Sequence, residues 1–146
     1  MPIVLEILAA ARTFEKKALV IFRPHGLTPA QFNVLNCLAG RPEGMRASDL
    51  ARGLIVDPSN VTGMLQRMQK EGWLREIESR ADRRQRVVGL SEKGVAAWSR
   101  CHRAYQRSLR ALQSELSARE LVVCQTALGK LVQKAAQLGK DERIGQ

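Results

Sequence analysis

Aromatic side chains are scarce in this sequence, only 4% of its 146 residues. Leu, Val, Ile and Ala must therefore fill any interior, and such a core leans towards helices. No apolar run approaches the roughly 18 residues that would cross a bilayer, so no spanning helix is expected. The apolar opening from Ile3 to Ala11 contains Glu6 and lacks a basic leader, so it does not read as a signal peptide. Cysteine is limited to Cys37, Cys101 and Cys124, odd in number, widely spaced and never in a C-x-x-C pair. That excludes a disulfide framework and a zinc finger and suits a reducing, cytoplasmic setting. With two histidines and no G-x-G-x-x-G, G-x-x-x-x-G-K-[ST] or H-E-x-x-H motif, neither an enzyme nor a cofactor or metal site is expected. Acidic residues are also few: 14 against 24 Lys and Arg, a net charge of +10.

What is present gives a clearer direction. A hydrophobic fraction of 45% with 26% charged residues is that of an ordinary globular protein, and one domain is the default over residues 1–146. A charge excess of this size, with a pI near 10.4, points to a polyanionic partner, nucleic acid or an anionic membrane.

The apolar periodicity predicts mainly helices. Ile3, Ile7, Ala10, Phe14, Ala18 and Ile21 recur at spacings of three and four, one stripe on a helix from Pro2 to Phe22. Thr28-Pro29-Ala30-Gln31 combines an N-cap, a first-position proline and a third-position Gln, and so starts a second helix. A short helix over Ser48–Arg52, stopping at Gly53, and another opened by Asp57-Pro58 and closed by Gly72 have the spacing of a helix-turn-helix around Leu54-Ile55-Val56. Trp73–Glu78 and Gln85–Leu90 alternate imperfectly and predict a β-hairpin. Its tip, Arg80 to Arg86, holds four arginines and one aspartate, the most basic window of its length.

Ser91 is expected to cap a long helix to about Gln113, its stripe formed by Val95, Trp98, His102, Tyr105, Leu109 and Leu112. Ser117-x-x-Glu120 is a capping box for the last helix. Leu121, Cys124, Leu128, Leu131, Ala135 and Leu138 then form a coiled-coil-like seam about 25 Å long. A polar, frayed tail is expected from Lys140. On such stripes His102 reads as a packed, hydrogen-bonded core histidine, and Arg100, Arg103, Arg107 and Arg110 as a solvated face. The fold class is thus mainly α with a small β-hairpin, the helix-turn-helix flanked by long terminal helices.

The fourth helix carries the candidate chemistry. At about 100° per residue, Val61, Met64, Leu65 and Met68 fall on one side. Ser59, Thr62, Gly63, Gln66 and Lys70 fall on the other, with Arg67 at its margin and Asn60 further round. This outward set offers hydroxyls, amides and cations but no carboxylate and no bulky apolar group. Those are the groups that reach base edges and phosphates in a major groove. A polar outer face alone is common to surface helices. Arginines on a following β-loop, suited to the negative potential of a minor groove, favour nucleic acid over mere solvation.

Leu27-Thr28-Pro29-Ala30-Gln31-Phe32, Asp49-Leu50-Ala51, Val61-Thr62, Asp82-Arg83-Arg84 and Leu90-Ser91-Glu92-Lys93-Gly94 resemble the MarR family of winged helix-turn-helix regulators. The likeness runs from about Leu27 to Gly94. It departs from the family's usual pattern at Ser91, where Thr is common. The resemblance implies that residues 28–91 form the DNA-binding region, with Pro58 to Lys70 as recognition helix. Asp82 would orient the wing, Arg84 would enter the minor groove, and Arg80, Arg83 and Arg86 would add charge beside it. It further implies dimerisation through residues 1–22 and 92–139, with Ile3, Ile7, Phe14, Leu121, Cys124, Leu128, Leu131 and Leu138 as apolar contacts.

The resulting expectation is a homodimeric regulator, most simply a repressor, on a pseudo-palindromic double-stranded operator. A small aromatic or anionic effector would release it. The alternatives are a cysteine-based redox switch and, from a different class, an RNA-binding winged-helix module. The family's peroxide sensors use a cysteine in the first helix, which this chain lacks, and its cysteines read as small hydrophobes. A membrane-surface role is disfavoured because the basic residues cluster on a hairpin rather than along one helix.

Overall fold

The computed structural model describes residues 2–54, 58–78 and 86–144, without the side chains of residues 58, 59 and 139–144. Among them lie α1 (Ile3–Phe22), a short 3-10 turn (Arg23–His25), α2 (Pro29–Leu38), β1 (Met45–Arg46), α3 (Ala47–Leu54), α4 (Pro58–Lys70), β2 (Leu74–Glu78), β3 (Arg86–Leu90), α5 (Glu92–Gln113) and α6 (Ala118–Ile144). The chain divides into two compact units, Met1–Tyr105 and Gln106–Gln146.

In the first unit the core forms where α2, α3, α4 and the sheet meet. Phe32, Val34, Leu35, Leu38, Leu50, Val61 and Met68 are essentially inaccessible to solvent. The few aromatics concentrate here: Phe22 stacks on Phe32 with centroids 4.2 Å apart, and Tyr105 closes on both at 5.8 and 5.1 Å. Thr28 caps α2 in both directions. Its hydroxyl accepts from the Gln31 N–H at 3.2 Å, and its own N–H donates to Gln31 Oε1 at 2.9 Å. Such reciprocal satisfaction of end groups fixes where α2 begins, directly after buried Leu27.

The sheet has three strands in the order β1-β3-β2, both pairs antiparallel. Sequence alternation foretold the hairpin but not β1, whose two residues, Met45 and Arg46, are too short for any periodicity to reveal. Gly44 positions that strand. Its φ is +71°, and a Cβ there would lie 2.5 Å from the Val88 carbonyl oxygen, so the approach of β1 to β3 requires glycine.

Helix α5 covers the predicted span but presents a different line to the core. Gly94, Ala97 and Cys101 are buried, with Trp98, His102 and Tyr105 flanking them, whereas Val95 and Leu112 are about half exposed. The reason is local: a Cβ on Gly94 would sit 2.1 Å from the Trp73 carbonyl oxygen. The helix therefore packs close through its smallest residues, and the large ones lie to the side. His102 also departs from expectation. Its ring lies 4.6 Å from Trp98, but its Nδ1 is buried with no hydrogen-bond partner among the described residues.

The second unit contains the end of α5 and α6. Ser117 starts α6 as predicted, its N–H and hydroxyl donating to the Glu120 carboxylate at 2.8 and 2.7 Å. Those bonds hold the Glu120 carboxyl below its ordinary pKa. The helix continues to Ile144 instead of fraying at Lys140. No helix among the described residues is long and apolar enough to cross a membrane.

Candidate nucleic-acid interface

Helix α4 is sharply two-sided. Val61, Leu65 and Met68 are buried and Met64 is half-buried, so the wheel's inward set is the one that meets the core. Asn60, Thr62, Gly63, Gln66, Arg67 and Lys70 are exposed on the other side. Burial of three apolar side chains fixes the rotation of the helix about its axis, and with it the polar set it displays. Among the described residues a Cβ on Gly63 would meet nothing within 4 Å, so none of them requires glycine there. The missing side chain leaves a flat spot at the centre of the polar face.

The far end of α4 is latched to α5. The Ser91 hydroxyl donates to the Gly72 carbonyl at 2.6 Å and accepts from the Gly94 N–H at 3.0 Å. The Ser91 N–H donates to the Trp73 carbonyl at 3.1 Å, and Lys93 Nζ donates to the Glu71 carbonyl at 2.6 Å. Leu90-Ser91-Glu92-Lys93-Gly94 thus has a mechanical meaning: it sets the angle between the polar helix, the sheet and α5.

Beside α4 stand β2 and β3. Arg86 is exposed at the start of β3, with Nε 3.8 Å from Glu76 Oε1 across the hairpin, too long for a hydrogen bond. Arg80, Asp82, Arg83 and Arg84 lie outside the described residues, as does Asp57; Ser59 lies in α4 with its side chain undescribed. The structure brings Asn60, Thr62, Gly63, Gln66, Arg67 and Lys70 onto one surface of α4 and sets Arg86 on the neighbouring hairpin.

One charged cluster escaped the residue-by-residue reading. Asp49, in the first turn of α3, accepts from Arg46 Nε at 3.0 Å through one carboxylate oxygen and from Arg52 Nη2 through the other. The two guanidiniums, Arg46 first, hold the Asp49 carboxyl below its ordinary pKa. The spacing of three residues on either side of Asp49 was legible in the sequence. The turn at β1 that brings Arg46 into reach was not.

The cysteines are dispersed. Cys101 is buried, and that burial pushes its thiol above the ordinary value, away from the reactive thiolate. Cys37 is half-buried and Cys124 exposed. No cluster of three or more metal-ligating side chains exists among the described residues.

Comparison with known proteins agrees with this geometry. The family model described as MarR family matches residues 25–85. The homoprotocatechuate degradative operon repressor of Escherichia coli is 30% identical over 109 residues, covering 71% of this chain and 72% of that protein. The multiple antibiotic resistance protein MarR of the same species is 30% identical over 110 residues, covering 75% and 76%. The transcriptional activatory protein BadR of Rhodopseudomonas palustris is 40% identical over 76 residues, 50% of this chain, and the match spans only 43% of BadR. Among solved structures, an E. coli MarR variant complexed with operator DNA superimposes with a TM-score of 0.78 at 26% identity, covering 90% of this chain and 94% of that one. The Staphylococcus aureus MepR–DNA complex gives 0.81 at 18% identity, covering 88% and 93%, a likeness of fold alone. Sequence, fold and motif placement agree: the chain belongs to the MarR family, and its fold is the winged helix-turn-helix of that family's transcription regulators.

Proposed function

We propose that this chain is a cytoplasmic, DNA-binding transcriptional repressor that acts as a homodimer on a pseudo-palindromic operator and is released by a small aromatic or anionic effector. The observation that carries the reading is the outward face of α4, where Asn60, Thr62, Gln66, Arg67 and Lys70 are exposed around the gap at Gly63. Amides and hydroxyls can read base edges there while the cations meet phosphates, and Gly63 lets the backbone approach closely. Ser59 and the wing residues Arg80, Asp82, Arg83, Arg84 and Arg86 extend this surface in the proposal, the wing taking the minor groove.

Dimerisation is supported by apolar surface that the single chain leaves open. Ile3 and Phe14 on α1 and Leu128, Leu131 and Leu138 on α6 are exposed, with Cys124 among them and Ile7 and Leu121 half-buried. Stripes of this length on a monomer would be a sticky patch. Two-fold pairing would set two recognition helices about one DNA turn apart. An effector that prefers a different spacing of the two helices would then release the DNA by population shift. Repression rather than activation is supported by the homoprotocatechuate operon repressor, of which the match covers much more than it does of BadR.

Selection of duplexes from a random pool by the purified protein tests this reading. Two inverted half-sites spaced by about one helical turn, roughly 10 base pairs, are expected. Preferential retention of RNA, or duplexes with no repeated half-site, would overturn it. Peroxide-driven release that vanishes in the Cys37→Ser, Cys101→Ser, Cys124→Ser triple variant would replace the effector with a redox switch.

A further inference from the structure

Helix α5 carries an apolar residue that the core leaves outside. Val95 is 48% exposed, although periodicity places it on the core stripe. Glu92, Val95, Ala96 and Ser99 recur at helical spacing on the face turned away from buried Gly94, Ala97 and Cys101. With Arg75 of β2 and Leu90 and Ser91 at the end of β3, that face lines an open groove of about 760 Å³. Every lining residue belongs to the first compact unit. Small-molecule sites usually combine apolar walls with a few polar groups, in volumes of about 300–1,000 Å³.

Arg75 supplies the charge. Its Nε donates to the Leu90 carbonyl at 3.0 Å, which holds the guanidinium against the strand end that borders the groove. Among the described residues no carboxylate forms an ion pair with it, so its Nη donors are left for a ligand. Glu92, the other charged group in the groove, is exposed and would repel a second anionic group on that ligand.

We propose that this groove binds a small aromatic monocarboxylate, its carboxylate on Arg75 and its ring over Leu90, Val95 and Ala96. The proposal rests on the effector reading above for its consequence, release of DNA, and gives that effector a site. A charge-assisted pairing with the planar guanidinium fixes the orientation of the acid. The location matters because the groove borders the latch at the end of α4. Ser91 ties Gly72 to Gly94, and Arg75 ties β2 to the Leu90 carbonyl. A carboxylate that draws Arg75 away from Leu90 loosens the tie between β2 and the start of α5. A ligand that prefers this loosened arrangement shifts the population away from the one that holds DNA.

The test uses the full chain, with benzoate as the probe, benzamide as its neutral counterpart and phthalate as a dianion. Amide shifts in NMR report where each binds, a titration reports its affinity, and thermal melting checks the folding of each variant. Benzoate is expected to give saturable shifts at Arg75, Leu90, Val95 and Ala96, with benzamide and phthalate weaker by about tenfold or more. Arg75→Gln should weaken benzoate by about the same factor and leave benzamide unchanged. Val95→Asp, at an exposed position that leaves the Arg75 tie in place, should also abolish benzoate binding. Glu92→Gln should bring phthalate close to benzoate.

Operator binding by the parent and both groove variants, with and without benzoate, separates the two levels. Saturable groove shifts with unchanged operator affinity would uphold the site and overturn the effector reading. Benzoate that releases DNA from the parent, Arg75→Gln and Val95→Asp alike would overturn the site and leave the effector reading standing. Absence of saturable shifts at the groove amides of the parent overturns the site outright.

Discussion

Phe32 and Phe14 are the same side chain on two predicted helical stripes, yet Phe32 is 0% exposed and Phe14 is 51% exposed. Phe32 packs against both Phe22 and Tyr105, in the core of the region that holds α2, α3, α4 and the sheet. Phe14 is on the part of α1 preceding Ala18, the first residue of that helix to pack against the core. The sequence pattern is equally regular in both places. Periodicity tells which face of a helix is apolar; it does not tell what covers that face. In the helix-turn-helix region the covering comes from the same chain, whereas the first turns of α1 and the valines and leucines of α6 are left exposed among the described residues and are the faces proposed to pair.

The largest expected effect falls in the covered region. Phe32→Ala removes a fully buried ring from an aromatic stack and should cost about 3–5 kcal/mol of folding stability. Phe14→Ala, measured at concentrations where the chain is monomeric, should stay within about 0.5 kcal/mol. Chemical denaturation of both variants checks the contrast. Equal losses would mean that α1 is packed within the single chain after all.

Next comes the open region. Leu128→Glu with Leu131→Glu places two carboxylates on the α6 seam, both at exposed positions. The proposed homodimer should dissociate, read by sedimentation as half the parent's mass, while the monomer keeps its helical content. A charged variant that remains a dimer of parental affinity would move the interface away from α6.

A smaller and opposite pair of effects is expected at Gly63. A Cβ there would meet nothing within 4 Å among the described residues and the position is helical, so Gly63→Ala should raise stability by about 1 kcal/mol. The added methyl group should at the same time weaken operator binding, because it intrudes where the backbone is proposed to approach DNA. A stability gain with unchanged affinity would leave the flat spot without a role.

How much of this was legible in the sequence differs from residue to residue, for physical reasons. The two-sidedness of α4 was readable because Val61, Leu65 and Met68 recur at helical spacing, and burial then fixed which polar residues point outward. The caps at Thr28 and Ser117 were readable because both bonds of each box are local in sequence. The buried line of α5 was not. It depends on the long-range approach of the Trp73 carbonyl to Gly94, which selects small residues over the large ones that periodicity favours. β1 was missed for a similar reason: two residues carry no pattern, and only the tight approach at Gly44 makes them a strand. The Arg46–Asp49–Arg52 triad depends on that strand and was hidden with it.

The central claim is that the outward face of α4 reads DNA sequence, with its amides and cations in separate roles. Binding of Gln66→Ala and Lys70→Ala to the selected operator and to scrambled duplex, across a salt series, tests it most directly. Both positions are exposed, so neither substitution should move stability by more than about 0.5 kcal/mol. Gln66→Ala should relax the preference at one operator position by about 1–3 kcal/mol and leave the salt slope intact. Lys70→Ala should weaken both duplexes alike and lower the slope by about one per subunit. If neither variant differs from the parent on either duplex, this face of α4 is a solvated surface and the account is wrong.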